Sequence, residues 1–444
     1  MRNVLLALAA MIAFAMPARA APPAFDVQAD MLLRSYAQAD RFSGVALVAK
    51  DGKPIFRKAY GLANREWDVP IAQDTKFRIG SITKQFTAAA ILQLAEQGKL
   101  SLDDPISKYY PAAPPSWAPI TLKHLLTHTS GIPSYTAIPG FFGMPSRTER
   151  SPQDVVALTQ DMPLEFKPGE KFNYNNTGYV LLGYVIEKVS GQAYRTYLQE
   201  HILKPLGLSN TGYDLTEPLL PHRAAGYASA PSGRITNASY LAMSLPYAAG
   251  SLYSTADDLL AWDLALRSGK VISPASVTAM FTDYGFGYGY GQFVEVRDGK
   301  RVWQHGGGIN GFVSMLSRYP DQGLTVVLLS NIAPSDTGRI AQRLAELYFH
   351  PETGGGPAGP LSAAELDRYV GRYGEGATAL EVTRDGQRLF IQRESAPKAE
   401  AVRELGRTFF VRGAPGVYTF ADGAPAPAVT LGNRLNGTVA KRVP

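Results

Sequence analysis

The chain has 444 residues, 45% of them hydrophobic and 18% charged, a balance that excludes a disordered protein. The length allows one large domain with an appendage. A formal charge of +6, without a run of five like charges, is too small for a nucleic-acid binder, and the lack of cysteine excludes disulfides, thiolate metal sites and a lipid-modified cysteine.

Residues 1–20 have the pattern of a signal peptide. Arg2 is the positive n-region, Val4 to Met16 is apolar, and Ala18-Arg19-Ala20 is a small-x-small cleavage site. The apolar stretch falls short of the roughly 20 residues that span a bilayer. Cleavage after Ala20 would release a periplasmic or secreted protein with no transmembrane segment.

Phe25 to Asp40 reads as a helix, with Val27, Met31, Leu32 and Tyr36 on one face. Gly44 to Ala49 and Pro54 to Tyr60 read as strands joined at the turn signal Asp51-Gly52. Ser81 to Gln97 is the clearest helix, free of internal Pro and Gly and stopped by Gly98. Its apolar residues lie on more than one side, which places it inside a domain. A Pro-rich stretch from Pro111 to Pro152 reads as long loops, and a second helix runs from Thr177 to Val189. The alternation of Gly with aromatics from Gly285 to Gly291 has period two and no following helix. It is expected to be a strand with bulky groups on one face, not a nucleotide-binding loop. Further strands are expected near Val302 to Trp303, Val313 to Tyr319 and Leu324 to Ser330, then a helix from Ile340 to Leu347.

Residues 351–360, rich in Gly and Pro, read as a linker. Beyond it the pattern changes to short strands, at Leu380 to Thr383, Leu389 to Gln392, Phe409 to Val411 and Val417 to Phe420. The expected organisation is a domain over 21–350 and a small β domain over 361–444.

Three motifs carry chemistry. Ser81-Ile82-Thr83-Lys84 puts a hydroxyl and an amine three residues apart on one face of a buried helix. A lysine there takes the serine proton once burial lowers its pKa. The spacing alone is weak, because Ser395-Ala396-Pro397-Lys398 shares it; that copy contains a proline and opens no helix. The second motif is Tyr174-Asn175-Asn176 just before a helix. A loop tyrosine can relay protons, and an asparagine amide can hold a substrate amide. The third is His305-Gly306-Gly307-Gly308, where glycines beside a strand let a ligand approach the backbone and offer N–H groups to an oxyanion. His124 and His128 have metal-like spacing, but no glutamate follows His124, so a structural role is expected. No metal or cofactor is expected, and no Gly-x-Ser-x-Gly elbow is present.

In this order, Ser81-x-x-Lys84, Tyr174-x-Asn176 and His305-x-Gly307 resemble the serine β-lactamase and penicillin-binding superfamily. The likeness is to the branch of class C β-lactamases, D-alanyl-D-alanine carboxypeptidases, D-aminopeptidases and related carboxylesterases. Thr121 to Gly131 and Ala249 to Leu259 resemble the same branch, and the tail from Leu361 resembles its lipocalin-like appendage. The resemblance implies an α/β fold, a central antiparallel sheet with helices on both faces and a helical lobe. It implies acylation of Ser81, general-base work shared between Lys84 and Tyr174, substrate binding by Asn176, His305 and Gly307, and an oxyanion hole from the N–H groups of Ser81 and Gly308. Class C β-lactamases place a lysine where His305 stands, and a histidine is charged only part of the time near neutral pH. That lowers the expectation of a dedicated β-lactamase; the expected activity is that of an exported serine hydrolase acting through an acyl-enzyme on amide or ester bonds, such as D-amino-acid peptides, esters or β-lactams. The alternative is a penicillin-binding or sensing protein that is acylated without turnover. Substrates would be small molecules or peptides; oligomeric state is open.

Overall fold

The computed structural model describes residues 23–229, 234–354, 361–376, 379–393, 396–412, 416–432 and 437–443. The expected signal peptide, most of the expected linker, and Ser395 lie outside them.

An antiparallel sheet of six strands organises the larger part. Its order is Phe293–Arg297, Lys300–Ile309, Phe312–Tyr319, Leu324–Ser330, Gly44–Lys50 and Lys53–Tyr60. Asp51 and Gly52 both take positive φ, at 49° and 78°, which makes the tight hairpin turn that their sequence signals. The central strands Gly44–Lys50 and Leu324–Ser330 are apolar along most of their length because both faces are covered. Ala46, Val48, Val326 and Leu328 pack on the helices Phe25–Gln38 and Thr337–Phe349. Val45, Leu47, Val327 and Leu329 face the helical lobe.

The lobe is built around the helix Thr83–Glu96, whose residues are buried nearly all round. Phe86 stacks on Trp262 of the helix Ala256–Arg267, with ring centres 3.9 Å apart. The helix Asn176–Ser190 packs beside it and ends in Gly191 at φ 72°, a left-handed cap that a glycine adopts without strain.

The segment from Gly285 to Gly291 is not a strand. Gly285, Gly287 and Gly291 take φ of 104°, 68° and 77°. The Asp283 carboxylate accepts the N–H groups of Gly285, Phe286 and Gly287 at 2.8, 3.0 and 2.8 Å. One oxygen gathering three donors coils the chain, and no ladder can form. The sheet edge is instead the strand Phe293–Arg297.

Beyond residue 360, eight strands from Gly371–Tyr373 to Thr438–Val443 close an up-and-down barrel, the last pairing with the first. Aromatic side chains fill it: Phe420 lies 5.6 Å from Tyr373 and 5.7 Å from Phe409, centre to centre. Strand alternation sends the neighbouring Phe410 outward, where it stacks on Tyr36 of the N-terminal helix at 4.5 Å. Beside it the buried Glu404 carboxylate accepts hydrogen bonds from Tyr36 Oη at 2.7 Å and from Arg339 at 3.2 and 3.1 Å. The barrel is thus joined to the larger part by an apolar contact with an ion pair inside it.

Candidate active site

Ser81 occupies a 3-10 turn, Gly80–Ile82, and the α-helix proper starts at Thr83. The turn presses against the strand Lys300–Ile309, and two glycines allow this. Gly80 has φ +50°, and a β-carbon there would come within 3.0 Å of the Gly308 nitrogen. A β-carbon on Gly307 would overlap the Ile79 carbonyl oxygen, which Ser314 Oγ also holds at 2.8 Å. The Gly308 nitrogen is thereby brought against the turn that carries Ser81. Ser81 is partly exposed, and a β-carbon on Gly308 would meet nothing within 4 Å, so this edge of the strand is open.

Lys84 is completely buried one turn on. Its Nζ lies 3.1 Å from Ser81 Oγ, 2.8 Å from Asn176 Oδ1 and 2.9 Å from the Ala249 carbonyl. Burial holds its pKa well below the usual lysine value. Both carbonyl oxygens can only accept. A neutral amine therefore donates to those two and presents its lone pair to the Ser81 hydroxyl.

The helix that follows Tyr174 is capped by Asn175, whose Oδ1 accepts the Gly178 N–H at 2.7 Å. This leaves the next residue, Asn176, free for the site. Its Nδ2 donates to Thr136 Oγ1 at 3.0 Å, and its backbone N–H to Ser134 Oγ at 3.1 Å. Both partners come from the Pro-rich stretch, which therefore shapes the site wall. Tyr174 has a partly exposed ring and a buried hydroxyl with no hydrogen-bond partner among the described residues. Burial pushes its pKa up, while the nearby Ser81 hydroxyl acts in the opposite direction. Lys84 Nζ stands 4.7 Å from the centre of its ring.

His305 lies within the strand Lys300–Ile309, not after it, and is buried. The expectation of partial charge near neutral pH does not hold. Burial above all, then repulsion from Lys84, brings its pKa down to about 3. Its Nε2 is 3.0 Å from Tyr288 Oη, and its Nδ1 is 2.5 Å from the Gly306 carbonyl.

The other candidates separate. His124 caps its short helix against Thr121, whereas His128 turns inward at φ 57° towards Tyr288. Among the described residues no group of three or more His, Asp or Glu is placed to hold a metal. Lys398 sits in the barrel, its Nζ 5.0 Å from the centre of the Phe390 ring. Sequence reasoning did not assign Tyr288, His128 or the Ala249 carbonyl to the site. The stretches Thr121 to Gly131 and Ala249 to Leu259 contained the signal for two of them. The third was hidden in the glycine–aromatic run.

A family model described as Beta-lactamase matches residues 29–349. The Bacillus subtilis protein PbpX, whose name assigns it provisionally to the penicillin-binding proteins, is 34% identical over 324 residues, 72% of this chain and 78% of that one. The octameric penicillin-binding protein homologue from Pyrococcus abyssi is 29% identical with a TM-score of 0.68, over 93% of this chain and 99% of that one. A D-stereospecific amidohydrolase from Streptomyces sp. is 30% identical with a TM-score of 0.63, over 74% of this chain and 99% of that one. With a match over most of its length and the Ser81–Lys84 pair at the mouth of the lobe, the chain belongs to the β-lactamase family of serine hydrolases.

Proposed function

We propose that this protein is an exported hydrolase that cleaves amide or ester bonds of D-amino-acid compounds through an acyl-enzyme on Ser81. The carrying observation is the Lys84 nitrogen, set between Ser81 Oγ and two carbonyl oxygens that take up its hydrogens. Lys84 accepts the Ser81 proton as Oγ attacks the substrate carbonyl carbon. The N–H groups of Ser81 and Gly308 hold the resulting oxyanion. When the carbonyl re-forms, the bond to the leaving group breaks and that group takes a proton from Tyr174 Oη, which Lys84 replaces. Water then attacks the acyl carbon by the same route in reverse, and the acid is released.

The D-amino-acid class is supported by the likeness to the Streptomyces amidohydrolase and to penicillin-binding relatives. Export is supported by the pattern of residues 1–20, and predicts a mature protein beginning at Ala21 by mass spectrometry. No helix among the described residues is long and apolar enough to cross a membrane.

The test is Ser81→Ala against a panel of p-nitrophenyl esters, D-aminoacyl amides, D-Ala-D-Ala peptides and nitrocefin, with fluorophosphonate labelling alongside. Loss of turnover and labelling is expected. Unchanged turnover in the variant would sink the assignment, and a stable adduct of the wild type without product would move it to penicillin binding.

A further inference from the structure

Four hydrogen bonds run behind the site from one backbone group to another. The Asn175 N–H donates to His128 Nδ1 at 3.0 Å. His128 Nε2 lies 3.2 Å from Tyr288 Oη, Tyr288 Oη lies 3.0 Å from His305 Nε2, and His305 Nδ1 lies 2.5 Å from the Gly306 carbonyl. The two ends are fixed: an amide N–H can only donate and a carbonyl can only accept. His128 Nδ1 therefore carries no proton, and His128 Nε2–H donates to Tyr288. The Tyr288 hydroxyl, which also faces Tyr179, gives its one proton to His305 Nε2, the acceptor at 3.0 Å, and the His305 proton stays on Nδ1, facing Gly306. Each of the four bonds then holds one hydrogen. A further proton on either imidazole would put two hydrogens into one bond.

We infer that Tyr288 and His128 are positioning residues that hold His305 as a neutral Nδ1–H imidazole, so that the site selects amides and esters whose group nearest His305 carries no carboxylate. This rests on the hydrolase reading above and specifies its substrate. His305 is faced by Tyr288, by Tyr174 of the loop before the helix Asn176–Ser190, and by Phe293 of the edge strand; the titratable group that acts on it through its charge, when protonated, is Lys84. Lys84 is already engaged with Ser81, Asn176 and Ala249. Both imidazole nitrogens of His305 are occupied, so the position offers a substrate anion neither charge nor a free N–H. A carboxylate placed there would lose its hydration without a partner.

The test has two arms on the full-length chain. In the first, the protein is labelled with 15N-histidine and its six histidines are followed by long-range 1H–15N NMR from pH 5 to 8. Assignment uses His305→Gln and His128→Gln. The expected result is His305 protonated on Nδ1, His128 protonated on Nε2, and neither titrating. A titrating His305, or its opposite tautomer, would overturn the inference. In the second, N-acetyl-D-Ala-D-Ala and its C-terminal amide compete with fluorophosphonate labelling of Ser81. The amide should protect the wild type at several-fold lower concentration. In Tyr288→Phe, His305 Nε2 loses its donor while burial and Lys84 still hold its pKa low, so the free acid should gain on the amide only as the pH falls towards about 4. Equal protection, no protection by either, or a ratio in Tyr288→Phe identical to wild type at every pH would overturn the selectivity. Failure of Ser81 to label at all would instead sink the hydrolase reading, while the NMR arm would still decide the tautomer.

Discussion

Asn176 Oδ1 accepts a hydrogen bond from Lys84 Nζ at 2.8 Å, which ties the asparagine directly to the proposed base. A carboxylate at the same place would favour the ammonium form of Lys84 through its charge. Asn176→Asp is therefore expected to shift the acidic limb of the kcat/KM profile to higher pH and to lower the rate at pH 7 by about 10²-fold or more, the range of general-base loss. Asn176→Ala should lower the rate without that shift. Equal profiles for both variants would show that Asn176 does not act through Lys84.

Activity should rise as the pH climbs through the lowered pKa of Lys84, well below the 10.5 of an ordinary lysine. Tyr174 keeps its proton because burial raises its pKa above 10.0, so no alkaline loss is expected before about pH 10. A pH–rate profile with a stable ester checks this. A neutral-pH alkaline limb would contradict the assignment of Tyr174 as proton donor.

The same lysine costs the fold stability. A base whose folded pKa lies below its unfolded value takes up fewer protons when folded. Stability is then reduced at low pH and recovers as the pH rises towards the unfolded value near 10.4. Lys84→Met should abolish activity yet stabilise the protein at low pH, where the buried lysine opposes folding. The gain should shrink as the pH is raised. Thermal melts at pH 6 and pH 10 measure both.

Two adjacent glycines are predicted to behave differently. Gly307→Ala drives a β-carbon into the Ile79 carbonyl and displaces the turn that carries Ser81. It should cost about 1–3 kcal/mol of stability and most of the activity. Gly308→Ala meets open space and should melt like the wild type. Circular dichroism melts and kcat/KM on the same samples separate the cases.

Glu404→Ala should loosen the barrel. The change leaves Arg339 and the largely buried Arg343 without their shared carboxylate. Breaking a buried pair from one side costs about 3–5 kcal/mol. A lower melting temperature than the wild type's is the expected readout, and an unchanged one would mean that the Tyr36–Phe410 contact suffices.

The amino-acid order by itself determined the local parts. The hairpin at Asp51-Gly52, the buried helix behind Ser81, the strand Leu324–Ser330 and the trio of Ser81, Tyr174 and His305 motifs were legible there. Each depends on a short period, a turn residue or a spacing within a few positions. Tertiary structure decided what arises between distant segments. Whether Asn175 or Asn176 caps the helix depends on Lys84 and Thr136 waiting for the second side chain. The glycine–aromatic run matched a strand by period, but Asp283 captured its N–H groups and coiled it. The charge of His305 could not be read from its identity, since its pKa is set by burial and then by Lys84, a residue far away in the chain. Burial and hydrogen-bond partnership belong to the folded surroundings of a residue, and so the Ser81-x-x-Lys84 spacing was legible in one dimension while the protonation proposed for His305 is a property of three.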